Sequence, residues 1–146
     1  MEKKFTIYEK PFSINQMYCS GRNMKTQAAR EWTEMIIFAL NTPEILNSLK
    51  QLREFFKLEK HEYELYLKAV YPKEIYYNKN GTISSKTIDT TNWEKNLQDI
   101  LCDPKYFEDK LDNLNINDKY FTKLISEKRS GDTYKIEITI RIVNRD

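Results

Sequence analysis

The chain has 146 residues, 40% of them apolar and 32% charged, with a formal net charge of +2. That suffices for one domain with its own core. No run approaches the roughly 18 apolar residues of a membrane-spanning helix, and so balanced a charge does not by itself announce a nucleic-acid binder.

Along the chain, Phe5 and Ile7 alternate with polar residues in "KFTIYEKPF", a strand that breaks at Pro11 and runs into a loop. "SINQMYCSGRNM" is that loop, with a turn at Ser20-Gly21. Thr26 is placed to cap a helix whose apolar stripe is Ala28, Ala29, Trp32, Ile36, Ala39 and Leu40. Thr42-Pro43-Glu44 restarts the chain as a second helix, Thr42 at the N-cap and Pro43 at the first helical position, with Ile45, Leu49, Leu52 and Phe56 on its buried side.

The period then changes to two. In "HEYELYLKAVYP", Tyr63, Leu65, Leu67, Ala69 and Tyr71 share one face, and Pro72 ends the strand. A polar connector follows, with Asn80-Gly81 as a candidate hairpin turn between "EIYYN" and "TISSK". A third helix begins near Asn92, buries Trp93, Leu97, Ile100 and Leu101, and stops at Pro104. "KYFTKLISEKRS" and "DTYKIEITIRIV" read as an antiparallel pair around Ser130-Gly131-Asp132, and Tyr134, Ile136, Ile138, Ile140 and Ile142 make the last strand the clearest of all. No internal repeat and no long linker divides the chain. The expectation is a single α/β domain over residues 1–146, a mixed sheet with flanking helices.

Cys19 and Cys102 form no CxxC pair and read as free or buried thiols rather than a disulfide or zinc site. "MEKKFTIYEK" places charges where a secretion signal needs an apolar run, so a cytoplasmic location is expected. His61 starts a strand and is not expected to be catalytic. The ten Tyr, seven Phe and two Trp are expected in the core rather than as base-stacking platforms.

Charge is unevenly spread. "RNMKTQAAR" carries Arg22, Lys25 and Arg30 and no anion, whereas Asp89, Asp99, Asp103, Asp109, Asp112 and Asp118 gather downstream. Asp89 lies just before the third helix, whose free N–H groups and partial positive charge favour phosphate. Lys95 and Asp99 are neighbours on that helix's polar face, and Asp118 directly precedes a strand. Two or three such carboxylates form a hard-oxygen site for Mg²⁺. Simpler readings stand beside this one. Thr91 and Glu94 make a capping box, Lys95 and Asp99 an ordinary surface pair, and the remaining acids solvated charge.

The joint pattern resembles the RusA family of Holliday junction resolvases, found mostly in phages and prophages. "PFSINQMY" is similar to the family's Pro-Ser-x-Asn loop with a following Tyr, and "GRNMKTQAAREW" to its basic loop leading into a helix. The catalytic signature Asp-x-Asp-Asn-x-x-Lys, an Asp four residues later and a final Asp before a strand, matches Asp89, Asn92, Lys95, Asp99 and Asp118. The resemblance implies a symmetric dimer that nicks four-way DNA junctions with Mg²⁺, or Mn²⁺, in the host cytoplasm. It implies that Asp89, Asp118 and Asp99 hold metal, that Lys95 contacts the scissile phosphate, and that Asn92 positions water or ligand. Arg22, Lys25, Arg30, Asn15 and Lys86 would contact DNA. Thr91 stands where the family has its second acid, and Asn117 where it has the first of its later Asp pair. That departure leaves open an alternative: a RusA-like protein that has lost cleavage and binds DNA or a partner protein, for instance a host factor. A structural α/β domain with merely superficial acids is the third reading.

Overall fold

The computed structural model describes residues 1–11, 27–87 and 93–145. In chain order these form β1 (Glu2–Ile7), α1 (Gln27–Leu40), α2 (Pro43–Phe55), β2 (His61–Pro72), the single turn α3 (Lys73–Tyr76), α4 (Glu94–Cys102), β3 (Phe121–Gly131) and β4 (Lys135–Asn144). Short 3₁₀ turns cover Pro104–Tyr106 and Asp118–Tyr120. The result is an α/β domain built on one four-stranded mixed sheet of order β1-β4-β2-β3.

Local chemistry explains most element boundaries. Thr42 Oγ1 accepts from the Ile45 N–H at 3.4 Å, and Pro43, which has no N–H to lose, opens α2. The twelve residues of β2 follow the expected alternation, with Tyr63, Leu65, Leu67, Ala69 and Tyr71 all buried. In α1 the stripe is shifted. Ala28 is exposed and Ala39 half-buried, whereas Thr33 and Ile37 turn inward. Thr33 manages this because its hydroxyl donates to the Ala29 carbonyl one turn back. Thr26 lies outside the described residues. Phe56 falls one residue past α2 and stacks on Tyr63 with ring centroids 4.2 Å apart.

The expected hairpin of the last two strands is not formed. β3 and β4 are separated by β2, which runs parallel to β3 and antiparallel to β4. Burial accounts for the order. Pairing β2 with β4 sets Tyr63 against Ile142, Leu65 against Ile140, Leu67 against Ile138 and Ala69 against Ile136, all of them buried. β3 has no fully buried residue and could not fill a central position, so it is displaced to the edge. The short β3–β4 connection must therefore cross the end of β2. At Gly131 a Cβ would stand 2.6 Å from Val70 Cγ1, so any side chain there would force Val70 or the backbone to shift.

The Asn80-Gly81 turn exists, with Gly81 at φ 85°, but it closes on a single antiparallel bridge between Tyr77 and Ile83. "KEIY" before it is helical, not a strand.

One sheet face is covered by Trp32, Ile36 and Leu40 of α1, Leu49 and Leu52 of α2 and Leu97, Ile100 and Leu101 of α4. Shortening a fully buried leucine such as Leu49 to Ala costs about 2–5 kcal/mol in comparable cores. The other face presents a shallow hollow of about 550 Å³ lined only by strand residues, among them Tyr66, Lys68, Glu127, Glu137 and Arg141. Trp32, Trp93, Tyr63, Tyr71, Tyr76 and Tyr106 are buried and serve the core, whereas Tyr8, Phe38, Phe55 and Tyr77 are exposed, against the expectation of core rings. Among the described residues no helix is long and apolar enough to cross a membrane.

Candidate functional site

The site forms where α4 ends. Its last carbonyls need partners, and the segment after it supplies them. The Leu114 N–H donates to the Leu101 carbonyl and the Ile116 N–H to that of Cys102, both at 2.8 Å. Asn113, with no exposed surface, completes the seam. Its Nδ2 donates to the carbonyls of Ile100 and Asp103, and its Oδ1 accepts from the Asn115 N–H, each at 2.9 Å. Asn115 takes a left-handed φ of 49°, which Asn tolerates better than most residues. From α2, Arg53 donates to the carbonyls of Asp112 and Asn113 at 3.2 and 2.7 Å. Asn117 Oδ1 then caps the 3₁₀ turn that starts at Asp118, accepting from the Lys119 N–H.

This chain of bonds returns Asp118 to α4. Asp99, Cys102, Asp103 and Asp118 line one small cavity of about 160 Å³. Asp99 and Asp118, nineteen positions apart in the chain, share this cavity. Burial pushes the Asp99 carboxyl above the ordinary carboxylate range; Lys95 and Lys105 pull it back, and Asp103 and Asp118 push it further up. Lys95 is exposed and acts on Asp99 through space, without a close ion pair. Cys102 is a free, buried thiol, pushed up to about 12 by burial and then by Asp99, Asp118 and Asp103. It is a wall of the cavity rather than a nucleophile.

Asp89, Asn92 and Thr91 lie outside the described residues, as do Arg22, Lys25, Asn15 and Cys19. Arg30 is exposed in the first turn of α1, and Lys86 is exposed in the turn that ends the connector. Glu94 is buried and its carboxylate accepts from the adjacent Trp93 N–H at 3.2 Å; because α4 begins at Glu94, with Trp93 before it making no side-chain capping bond, Glu94 does not sit at the third helical position that a capping box with Thr91 needs. His61 is structural. Its Nδ1 accepts from the Lys57 N–H at 2.9 Å and its ring stacks on Phe55.

Lys128 was missed in the sequence. It is half-buried on β3, and its Nζ donates to Thr87 Oγ1 at 3.0 Å, while that hydroxyl donates to the Ser84 carbonyl. It carries a cation to the residue that immediately precedes 88–92. Only the order of the strands reveals this, since Lys128 reads as one more charge in an alternating edge strand.

The donor set fits a hard divalent ion in kind, carboxylate oxygens; burial disfavours the charged form of Asp99, and a bound cation would offset that cost. Among the described residues, no group of three or more His, Cys, Asp or Glu side chains is placed to hold one. Asp99 and Asp118 make a pair, not a complete set. The chain matches no protein-family model and no curated protein.

Proposed function

We propose that the protein is a RusA-like, Mg²⁺-dependent endonuclease that works as a homodimer on branched DNA in the cytoplasm of a bacterial host. The observation that supports this reading best is the meeting of Asp99 and Asp118 in one cavity, on the helix that carries Lys95. Asp99 and Asp118 are two members of the motif and the fold need not have united them; Lys95, one helical turn before Asp99, is exposed and does not line the cavity. In this reading Asp99 and Asp118 hold the ion together with Asp89. When bound, the ion supplies a Lewis acid for the phosphodiester. Lys95 places a positive charge against the scissile phosphate, Asn92 orients water or the phosphate, and Arg22, Lys25, Arg30, Asn15 and Lys86 track the DNA backbone. Mn²⁺, with the same preference for oxygen ligands, would substitute.

The test is incubation of a labelled four-way junction and a linear duplex with the protein, with and without Mg²⁺ or Mn²⁺. Expected are metal-dependent nicks in the junction, tighter binding to it than to the duplex, and binding that falls steeply with salt. Asp118→Asn should abolish nicking and leave junction binding intact. Equal affinity for junction and duplex, with neither cleaved, would sink the proposal.

The second reading, a binder of DNA or of a partner protein without cleavage, is favoured by Thr91 in place of an acid. Junction binding with no nicking in either metal, and nicking restored by Thr91→Asp, would establish it.

A further inference from the structure

β3 is an edge strand of unusual openness. Among the described residues it pairs only with β2, and from Lys123 to Gly131 that pairing is regular, the one register shift lying beside Thr122. Every second residue directs its N–H and C=O away from β2, so the outer edge offers unpaired ladder groups. Leu124 and Ile125, at its middle, are 39% and 43% exposed. The other edge strand, β1, has only six residues.

The side chains of β3 select one occupant for this edge. Two copies of a strand pair antiparallel about a two-fold perpendicular to the sheet. That axis keeps like faces together, so it must pass through a residue and its own copy. Centred on Leu124, Lys123 faces Ile125 and gains nothing. Centred on Ser126, Lys123 faces Arg129; centred on Glu127, that carboxylate faces itself. Centred on Ile125, Lys123 faces Glu127 twice, once on each side of an Ile125–Ile125 pair, and no like charges oppose. Lys123, Ile125 and Glu127 lie on the open face of the sheet: Ile125 and Glu127 line its hollow, and Lys123 Nζ sits 5.7 Å from the Tyr66 ring centre on that side. Cross-strand pairs of opposite charge favour a register, whereas like charges directly opposite disfavour it.

We infer that β3 is the dimer interface, pairing with β3 of a second copy about Ile125 to give one continuous eight-stranded sheet. The inference deepens the dimeric reading proposed above, but its argument rests on the strand alone. The same lysines that deter pairing with unrelated edges favour this register, which alone of those compared gains two opposite-charge pairs.

Light scattering after size exclusion tests it at about 100 μM protein. The parent should be a dimer. Lys123→Glu and Glu127→Lys should each raise the dimer dissociation constant at least about tenfold, and the double reversal should recover it, because the pair is restored with its signs exchanged. Glu127 also bridges Lys68 and Arg129, so the melting temperature of each variant is measured to separate misfolding from dissociation. Independently, Ile125→Cys should cross-link to its own copy under mild oxidation, as Cα atoms of directly opposed residues stand about 4.5–5.5 Å apart. Ser130→Cys, far from the axis, and the parent should not. A monomeric parent, folded single reversals that stay dimeric, or a dimer whose Ile125→Cys form fails to cross-link would each overturn the inference. If such a protein still nicks junctions, the interface is wrong and the nuclease reading survives. If the interface is found and no junction is bound or cut, the reverse holds.

Discussion

Asn113→Ala tests the account of how Asp118 reaches Asp99. Asn113 is fully buried and makes three hydrogen bonds of 2.9 Å, two of them to carbonyls at the end of α4. Each ordinary bond contributes about 1 kcal/mol, and a buried carbonyl left without a donor costs about 1–3 kcal/mol. The variant should therefore lose about 3–4 kcal/mol. For a domain of this size each kcal/mol moves the midpoint by about 2–4 °C, so thermal unfolding followed by circular dichroism should show a fall of about 6–16 °C. Asn113→Asp sharpens the test. It keeps the acceptor for the Asn115 N–H but turns a carboxylate oxygen toward the carbonyls of Ile100 and Asp103. At neutral pH it should be at least as unstable as the Ala form, and it should recover part of the loss in acid, once protonated and able to donate to one of them. A loss below about 1 kcal/mol for Asn113→Ala, or an Asp form as stable as the parent at pH 7, would refute the view that this side chain closes the end of α4.

Further expectations concern the remaining unusual groups. Gly131→Ala forces a Cβ to within 2.6 Å of Val70 Cγ1 and should cost about 1–3 kcal/mol in chemical denaturation, with partial rescue by Val70→Ala. Because burial raises the Asp99 carboxyl in the folded state, its stability contribution is fullest below the ordinary carboxyl pKa of about 3.9 and is lost as pH rises through the raised folded value. Asp99→Asn should then melt above the parent at neutral pH and converge with it in acid; an Asn form melting lower at pH 7 would contradict the assignment. Cys102, pushed up to about 12 and 1% exposed, should resist thiol reagents in a folded Cys19→Ala background and react fully once unfolded.

Much of the fold was already written in local pattern. The alternation of β2 and β4, the Thr42-Pro43 helix start and the stripe of Trp93, Leu97, Ile100 and Leu101 depend on spacing and on residues near in sequence, and they appear in the structure as read. In the candidate site, the sequence marked Asp99, Lys95 and Asp118 as residue types suited to an ion and a phosphate. In it His61 read only as the start of a strand; that its ring accepts from the Lys57 N–H was not legible there. What it could not supply was long-range choice. β3 and β4 are joined by a short turn and locally resemble a hairpin, yet β2 takes the place between them because four of its five inward side chains pair with the buried isoleucines of β4, whereas β3 has no fully buried residue to offer. Competition for the centre of a sheet is decided among strands distant in the chain, and no window of sequence contains it. The same holds for the cavity. Asn113 reads as a loop residue until the open carbonyls at the end of α4 appear beside it, and Lys128 reads as surface charge until parallel pairing with β2 carries it to Thr87. Periodicity and capping chose the elements; burial, and the need of every buried carbonyl for a donor, chose their neighbours.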